Sequence, residues 1–151
     1  MKHFQAATEY PDNLATGAPA RRVLARFHYL MGMAHEALGA MDAARQEWSK
    51  AAAEVVAPAS EGVVYQALAL RKLDRRAEAE ALLKQLVEEC RKTPAGRRNQ
   101  ANGKYVISLA LRALGRAEEA DMHLREALED NPDAVLRSAI DAARSPALPE
   151  S

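Results

Sequence analysis

Apolar positions recur along this chain three and four residues apart, in blocks separated by short polar turns. Val23, Leu24, Phe27, Leu30, Met31, Ala34 and Leu38 make the first stripe, the spacing of one face of an α-helix. Gly39 ends it, and Pro19 stands where a first-turn proline is tolerated. A second helix over about 42–55 sets Ala44, Trp48 and Ala51 on one face, and Pro58 and Ser60 then break the chain. Val63, Ala67, Leu70 and Leu73 form a third stripe; Ala79, Leu82, Leu83 and Leu86 form a fourth. Ile107, Ala110, Leu111 and Leu114 give the fifth, and Ala120, Leu124, Ala127 and Leu128 the sixth. After Asn131 and Pro132 a last helix carries Val135, Leu136, Ala139, Ile140 and Ala143. Residues 1–18 lack this periodicity, apart from a short helix allowed at about 2–8; "YPDNLATGAP" is turn and loop chemistry. "KTPAGRRNQANGK" (Lys92–Lys104) leaves two readings open. Either Thr93 and Pro94 cap an early start of the fifth helix, with Gly103 as its weak point, or the segment is loop.

The stripes come in pairs, and the pairs repeat. Aligned on Leu38, Leu73 and Leu114, they place a small residue six positions earlier each time: Gly32, Ala67, Ser108. An alanine stands six positions later (Ala44, Ala79, Ala120), a large apolar residue four beyond it (Trp48, Leu83, Leu124), then Ala51, Leu86 and Ala127. Two antiparallel helices joined by a tight turn approach closely only where side chains are small. The small residues are therefore expected to meet the alanines at each crossing, with the bulky residue wedged toward the next pair. One such hairpin cannot bury its own stripe, so neighbours must stack on it.

This arrangement resembles the tetratricopeptide repeat, a helix-turn-helix unit of about 34 residues. The resemblance is carried by Leu38-Gly39 and Leu114-Gly115 in the turns, by Ala44-x3-Trp48, Ala79-x3-Leu83 and Ala120-x3-Leu124, and by Pro132 at the closing position. Asp74 replaces the turn glycine in the second unit, and His35, Leu70 or Leu111 stands at the family's tyrosine position. The third unit follows about seven extra residues. The resemblance implies an all-α fold: a right-handed superhelical stack of antiparallel helix pairs, about three repeats plus a C-terminal capping helix. The expected organisation is an N-terminal loop or short helix over 1–19 and a repeat domain over 20–145. Within it fall repeats at about 24–57, 59–92 and 97–131 and a capping helix at 132–144, followed by a disordered tail at 146–151. "EYPDNLATGAP" followed by "RFHYLMGMAHEALG" also looks like the C-terminal repeat tail of large bacterial proteins that begin with a sugar-handling β-sandwich domain. That would make the chain part of a larger protein.

Composition narrows the function classes. Hydrophobic residues are 48% of the chain but aromatics only 5%, so alanine and leucine supply the difference and favour helix. The 151 residues fit one domain. Basic and acidic residues balance at 21 each, which leaves no global pull toward nucleic acid or an anionic membrane. Cys90 is the single cysteine. It can form no internal disulfide and fits a reducing compartment, so a cytoplasmic placement is expected. The first residues show no signal-peptide core, and no run reaches membrane-spanning length. No phosphate loop, nucleophile elbow, paired catalytic acids or zinc spacing appears, so neither catalysis nor a cofactor is expected.

In repeat stacks of this family the first helix of each pair lines the concave face. Transferred by the alignment, the outward positions are Arg26, Tyr29, Met33 and Glu36; Val64, Leu68, Arg71 and Lys72; and Asn102, Tyr105, Leu109 and Arg112. They mix apolar residues with a basic bias, which suits an extended or helical segment of acidic character. The alternative is a solvated face, its apolar residues covered by the N-terminal segment. The subclass that clamps a partner's terminal carboxylate uses Lys and Asn where this chain has Tyr29 and Met33, which argues against that ligand. His28 and His35, seven apart, read as packing residues rather than a metal pair, since helical metal pairs sit four apart. Cys90 beside Arg91 and Lys92 is either an activated thiol or a half-buried spacer. Glu88-Glu89 and Glu118-Glu119 read as solvated faces, and "RKTPAGRR" as a charged loop more than a phosphate-binding patch.

The expected function is therefore a non-catalytic scaffold that binds another protein, a peptide segment or another part of its own parent chain. Two alternatives stand beside it: an accessory helical domain of a larger carbohydrate-active bacterial enzyme, and a self-association module forming a homodimer.

Overall fold

The computed structural model describes residues 24–92, 97–131 and 133. Among them are six helices and no strand: α1 (Leu24–Ala37), α2 (Met41–Ala53), α3 (Glu61–Lys72), α4 (Arg76–Lys92), α5 (Arg97–Ala113) and α6 (Ala117–Asp130). The described residues are all-α, a stack of consecutive helix pairs. Apart from Asp133, the helix expected over 132–144 lies outside the described residues, as do the N-terminal segment over 1–19 and the tail over 146–151. In the 92–104 segment α5 is helical from Arg97 and carries Gly103 inside it; Thr93 and Pro94, the expected caps, lie outside the described residues.

The three pair turns are built alike, and the backbone shows why. Gly39, Asp74 and Gly115 each adopt a left-handed conformation, at φ 75°, 61° and 79°. Each of these amides donates to the carbonyl three residues back (Glu36, Arg71 and Arg112). The next amides, of Ala40, Arg75 and Arg116, donate to His35, Leu70 and Leu111 over 2.9 Å in every case. This pair of bonds satisfies carbonyls that a helix end leaves bare, and it needs one residue with positive φ. Glycine fills that place twice at no steric cost, and Asp is among the few other residues that tolerate it.

Each helix packs on its neighbours in sequence, and the first helices also touch along the stack, α1 on α3 and α3 on α5. α3 therefore contacts α1, α2, α4 and α5. Packed against four helices, it buries every residue from Gly62 to Leu70. Its Gln66 amide donates to the carbonyls of Ala52 and Glu54, which pins the linker that leaves α2.

The alanines expected at the crossings, Ala44, Ala79 and Ala120, are fully buried. So are Trp48 and Leu83, whereas Leu124 is half-buried. The detail differs from expectation in the first pair. A Cβ on Gly32 would lie 2.9 Å from Cε2 of Trp48 and closer still to Nε1 and Cδ1. The indole thus fills the space over Gly32 in its own hairpin, besides facing the next pair, where Lys72 Nζ stands 5.2 Å from its ring centre. Two stripe residues prove exposed: Leu38 at 70% and Leu128 at 39%. Leu38 belongs to the first pair, which has no described pair before it, while the equivalent Leu73 and Leu114 pack against the core.

Candidate partner-binding face

Two contacts fix how α1 and α3 lie. The rings of Tyr29 and Tyr65 are 5.9 Å apart at their centres, and Lys72 Nζ meets Glu36 Oε2 at 2.7 Å. Both contacts join residues 36 apart in the chain, one near the start of the helices and one near their end. The two helices therefore run side by side in the same direction and in register. α5 lies on the other flank of α3, and its Tyr105 is near enough to Tyr65 to influence that phenol's ionisation.

In-register packing sorts the expected positions into rows across the stack. Tyr29, Tyr65 and Tyr105 form an aromatic row, all buried, with Val64 behind it. One helical turn on, Met33, Leu68 and Leu109 form an apolar row. Leu68 is 8% exposed, and the other two are half-buried against the core. A further turn on stand Glu36, Arg71 and Arg112. Of the positions expected to point outward, Glu36 and Arg71 are half-buried and Arg112 is exposed, whereas Tyr29, Val64, Leu68 and Tyr105 are buried.

The charges of the face are largely matched from within. Lys72 pairs with Glu36, and Arg112 meets Asp121 of α6 at 2.6 Å. The Arg26 guanidinium lies over the Tyr65 ring, 5.9 Å from its centre. Arg71, half-buried, has no ion pair among the described residues, and Asn102 is exposed. Burial, and secondarily Glu36, pushes the Tyr29 phenol up to about 12. Burial foremost, then Glu61, pushes Tyr65 up as well. Both phenols stay protonated at neutral pH, so each keeps an O–H that can donate.

Two tetratricopeptide-repeat family models match the chain, one over residues 62–93 and the other over 101–133. The chain carries tetratricopeptide repeats. The matched spans correspond to the pairs α3–α4 and α5–α6. The pair α1–α2 lies outside both and shares their turn geometry, bond for bond. Repeats of this family commonly bind protein partners and are in general non-catalytic. No curated protein and no solved structure matches the chain. The "EYPDNLATGAP" segment that prompted the second resemblance lies outside the described residues.

Elsewhere in the repeat protein, polar side chains tie helices together. His28 Nδ1 lies 2.7 Å from Glu47 Oε2, and Lys50 Nζ reaches Glu47 Oε1 at the same distance. Burial alone would raise the Glu47 carboxyl, but the hydrogen bonds from Lys50 and His28 outweigh it and hold Glu47 below the usual carboxylate range. An ionised Glu47 only accepts, so His28 carries its proton on Nδ1. His28 is thus a packing residue with a polar tether. Lys104 joins α5 to α6 through Asp130 at 2.7 Å and Glu126 at 3.6 Å. Cys90 is half-buried, and burial, then Glu89, pushes its thiol up, which favours the spacer over the activated thiol. Among the described residues no group of three or more His, Cys, Asp or Glu could hold a metal ion, and no helix is long and apolar enough to cross a membrane. Arg91 and Lys92 pair with Glu88 and Glu89 on their own helix; the rest of that basic segment is not described.

Tyr65 is the member of the face that sequence reasoning missed. The alignment assigned Val64 to the face, one residue away. The available signal was that each first helix carries one tyrosine (29, 65, 105), at intervals close to those of the repeats.

Proposed function

We propose that this protein is a non-catalytic docking scaffold that takes an extended or helical segment of a partner protein, acidic in character, across the rows formed by α1, α3 and α5. The observation that carries the reading is the register: aromatic, apolar and charged positions of three repeats fall into continuous rows. This face is ordered before any partner arrives, since its tyrosines are buried and its charges matched, so binding costs little ordering entropy. Half-buried Met33 and Leu109 offer apolar surface beside it, while helix-in-groove and extended-segment recognition both need such a stripe flanked by polar groups.

The test is selection of a displayed library of random peptides on the full chain. Peptides should enrich that lose affinity for the double variant Met33→Gln, Leu109→Gln, whose long side chains keep their stems packed. Circular dichroism of this variant should match that of the parent, showing that it folds. Peptides that enrich but bind the variant and the parent equally would rule out this face.

A further inference from the structure

The expected face carried a basic bias, and the structure redistributes it. Lys72 and Arg112 hold internal carboxylates, at 2.7 and 2.6 Å. A partner carboxylate could engage either only by displacing Glu36 or Asp121, which exchanges one ion pair for another. Arg71 sits in the same row with no ion pair of its own among the described residues, half-buried beside the Leu68 position. Engaging it breaks no ion pair of the described residues, and at a half-buried position charges are screened less than on open surface. Arg71 also lies on α3, the middle helix, so any segment crossing all three first helices passes over it. Among the described residues the Tyr29 hydroxyl has no hydrogen-bond partner either, leaving one more donor nearby.

From this asymmetry we infer that Arg71 is the specificity-determining cation of the face. It reads one Asp or Glu side chain of the bound segment, whose apolar side chains rest on Met33, Leu68 and Leu109; Lys72 and Arg112 serve the fold instead. The inference rests on the docking face proposed above, and it replaces a diffuse preference for acidic partners with a single charge contact.

The experiment uses the same displayed random peptides, with selected ones synthesised and titrated against the full chain. Selected peptides should share an acidic residue flanked by apolar ones. Arg71→Glu should weaken a selected peptide about tenfold, the size of one charge-assisted hydrogen bond. Replacing that peptide's acidic residue by Lys should restore binding to Arg71→Glu and not to the parent. Arg112→Ala should leave affinity within about twofold, as expected for a residue that makes no partner contact. Because Arg71 makes no ion pair, its variants should melt like the parent, and Arg71→Gln serves if the reversal variant does not fold. Peptides without an acidic consensus, or unaffected by Arg71→Glu, would overturn the role of Arg71 and leave the face standing. Peptides indifferent to Met33 and Leu109 would overturn the face itself.

Discussion

Gly32 and Ala67 occupy the same place in consecutive repeats, yet they are not interchangeable. The residue each faces decides this. The second repeat supplies Leu83 where the first supplies Trp48, and the indole fills the space over Gly32. Gly32→Ala therefore overpacks the first hairpin, at a cost of about 1–3 kcal/mol. Within a helix alanine would otherwise gain up to about 1 kcal/mol over glycine, so a destabilised variant means that packing has overridden propensity. Adding Trp48→Leu should make Gly32→Ala neutral or favourable, and a double-mutant cycle in thermal or denaturant melts measures the coupling. If the two substitutions prove additive, Trp48 is not what excludes a side chain at position 32.

At the scale of elements, each helix pair needs something to hold its far end, and the repeats solve this differently. The first pair uses Glu47 clasped between His28 and Lys50, and the third uses Lys104 clasped between Glu126 and Asp130. Glu47 makes the first clasp pH-sensitive. Its folded pKa lies below its unfolded one. Its contribution is therefore complete above the unfolded carboxylate value of about 4.3 and is lost as pH falls through the folded value. Glu47→Gln should lower the melting temperature at pH 7, and the gap from the parent should close as the pH drops below about 4. A gap that stays constant to low pH would assign the loss to packing rather than charge. Little of this clasp could be read beforehand. Periodicity exposes the six helices, because burial on one face imposes three- and four-residue spacing, and the turn residues mark where pairs fold back. Asp74 shows the limit even there, since its positive φ is visible only once the backbone is known. Glu47 and His28 sit 19 residues apart with nothing local to link them. For the same reason the alignment could place Tyr29 and Tyr105 on a shared face but could not tell that the face buries them, or that Lys72 and Arg112 are already matched.

The whole molecule behaves as a line of units, each supported by its neighbours, and this sets where it opens. α3 is flanked on four sides, while among the described residues α6 contacts α5 alone. In such a stack, freeing an end unit breaks one interface, whereas freeing the middle breaks two. Local opening should then follow position in the stack rather than helix length or composition. Hydrogen exchange read by mass spectrometry should find the amides of Val64–Leu70 slowest in the chain and those of α6 the first helical ones to exchange. The expectation bears on function, because α3 carries Tyr65, Leu68 and Arg71. Placing the charge-reading residue on the least mobile helix keeps the middle of the face preformed, while the flanking repeats retain freedom to adjust to a bound segment. A bound peptide should accordingly slow exchange more in α1 and α5 than in α3, whose amides are already protected. Uniform exchange across all six helices would instead mean that the stack opens as one cooperative block. The graded protection expected of a line of units would then be absent.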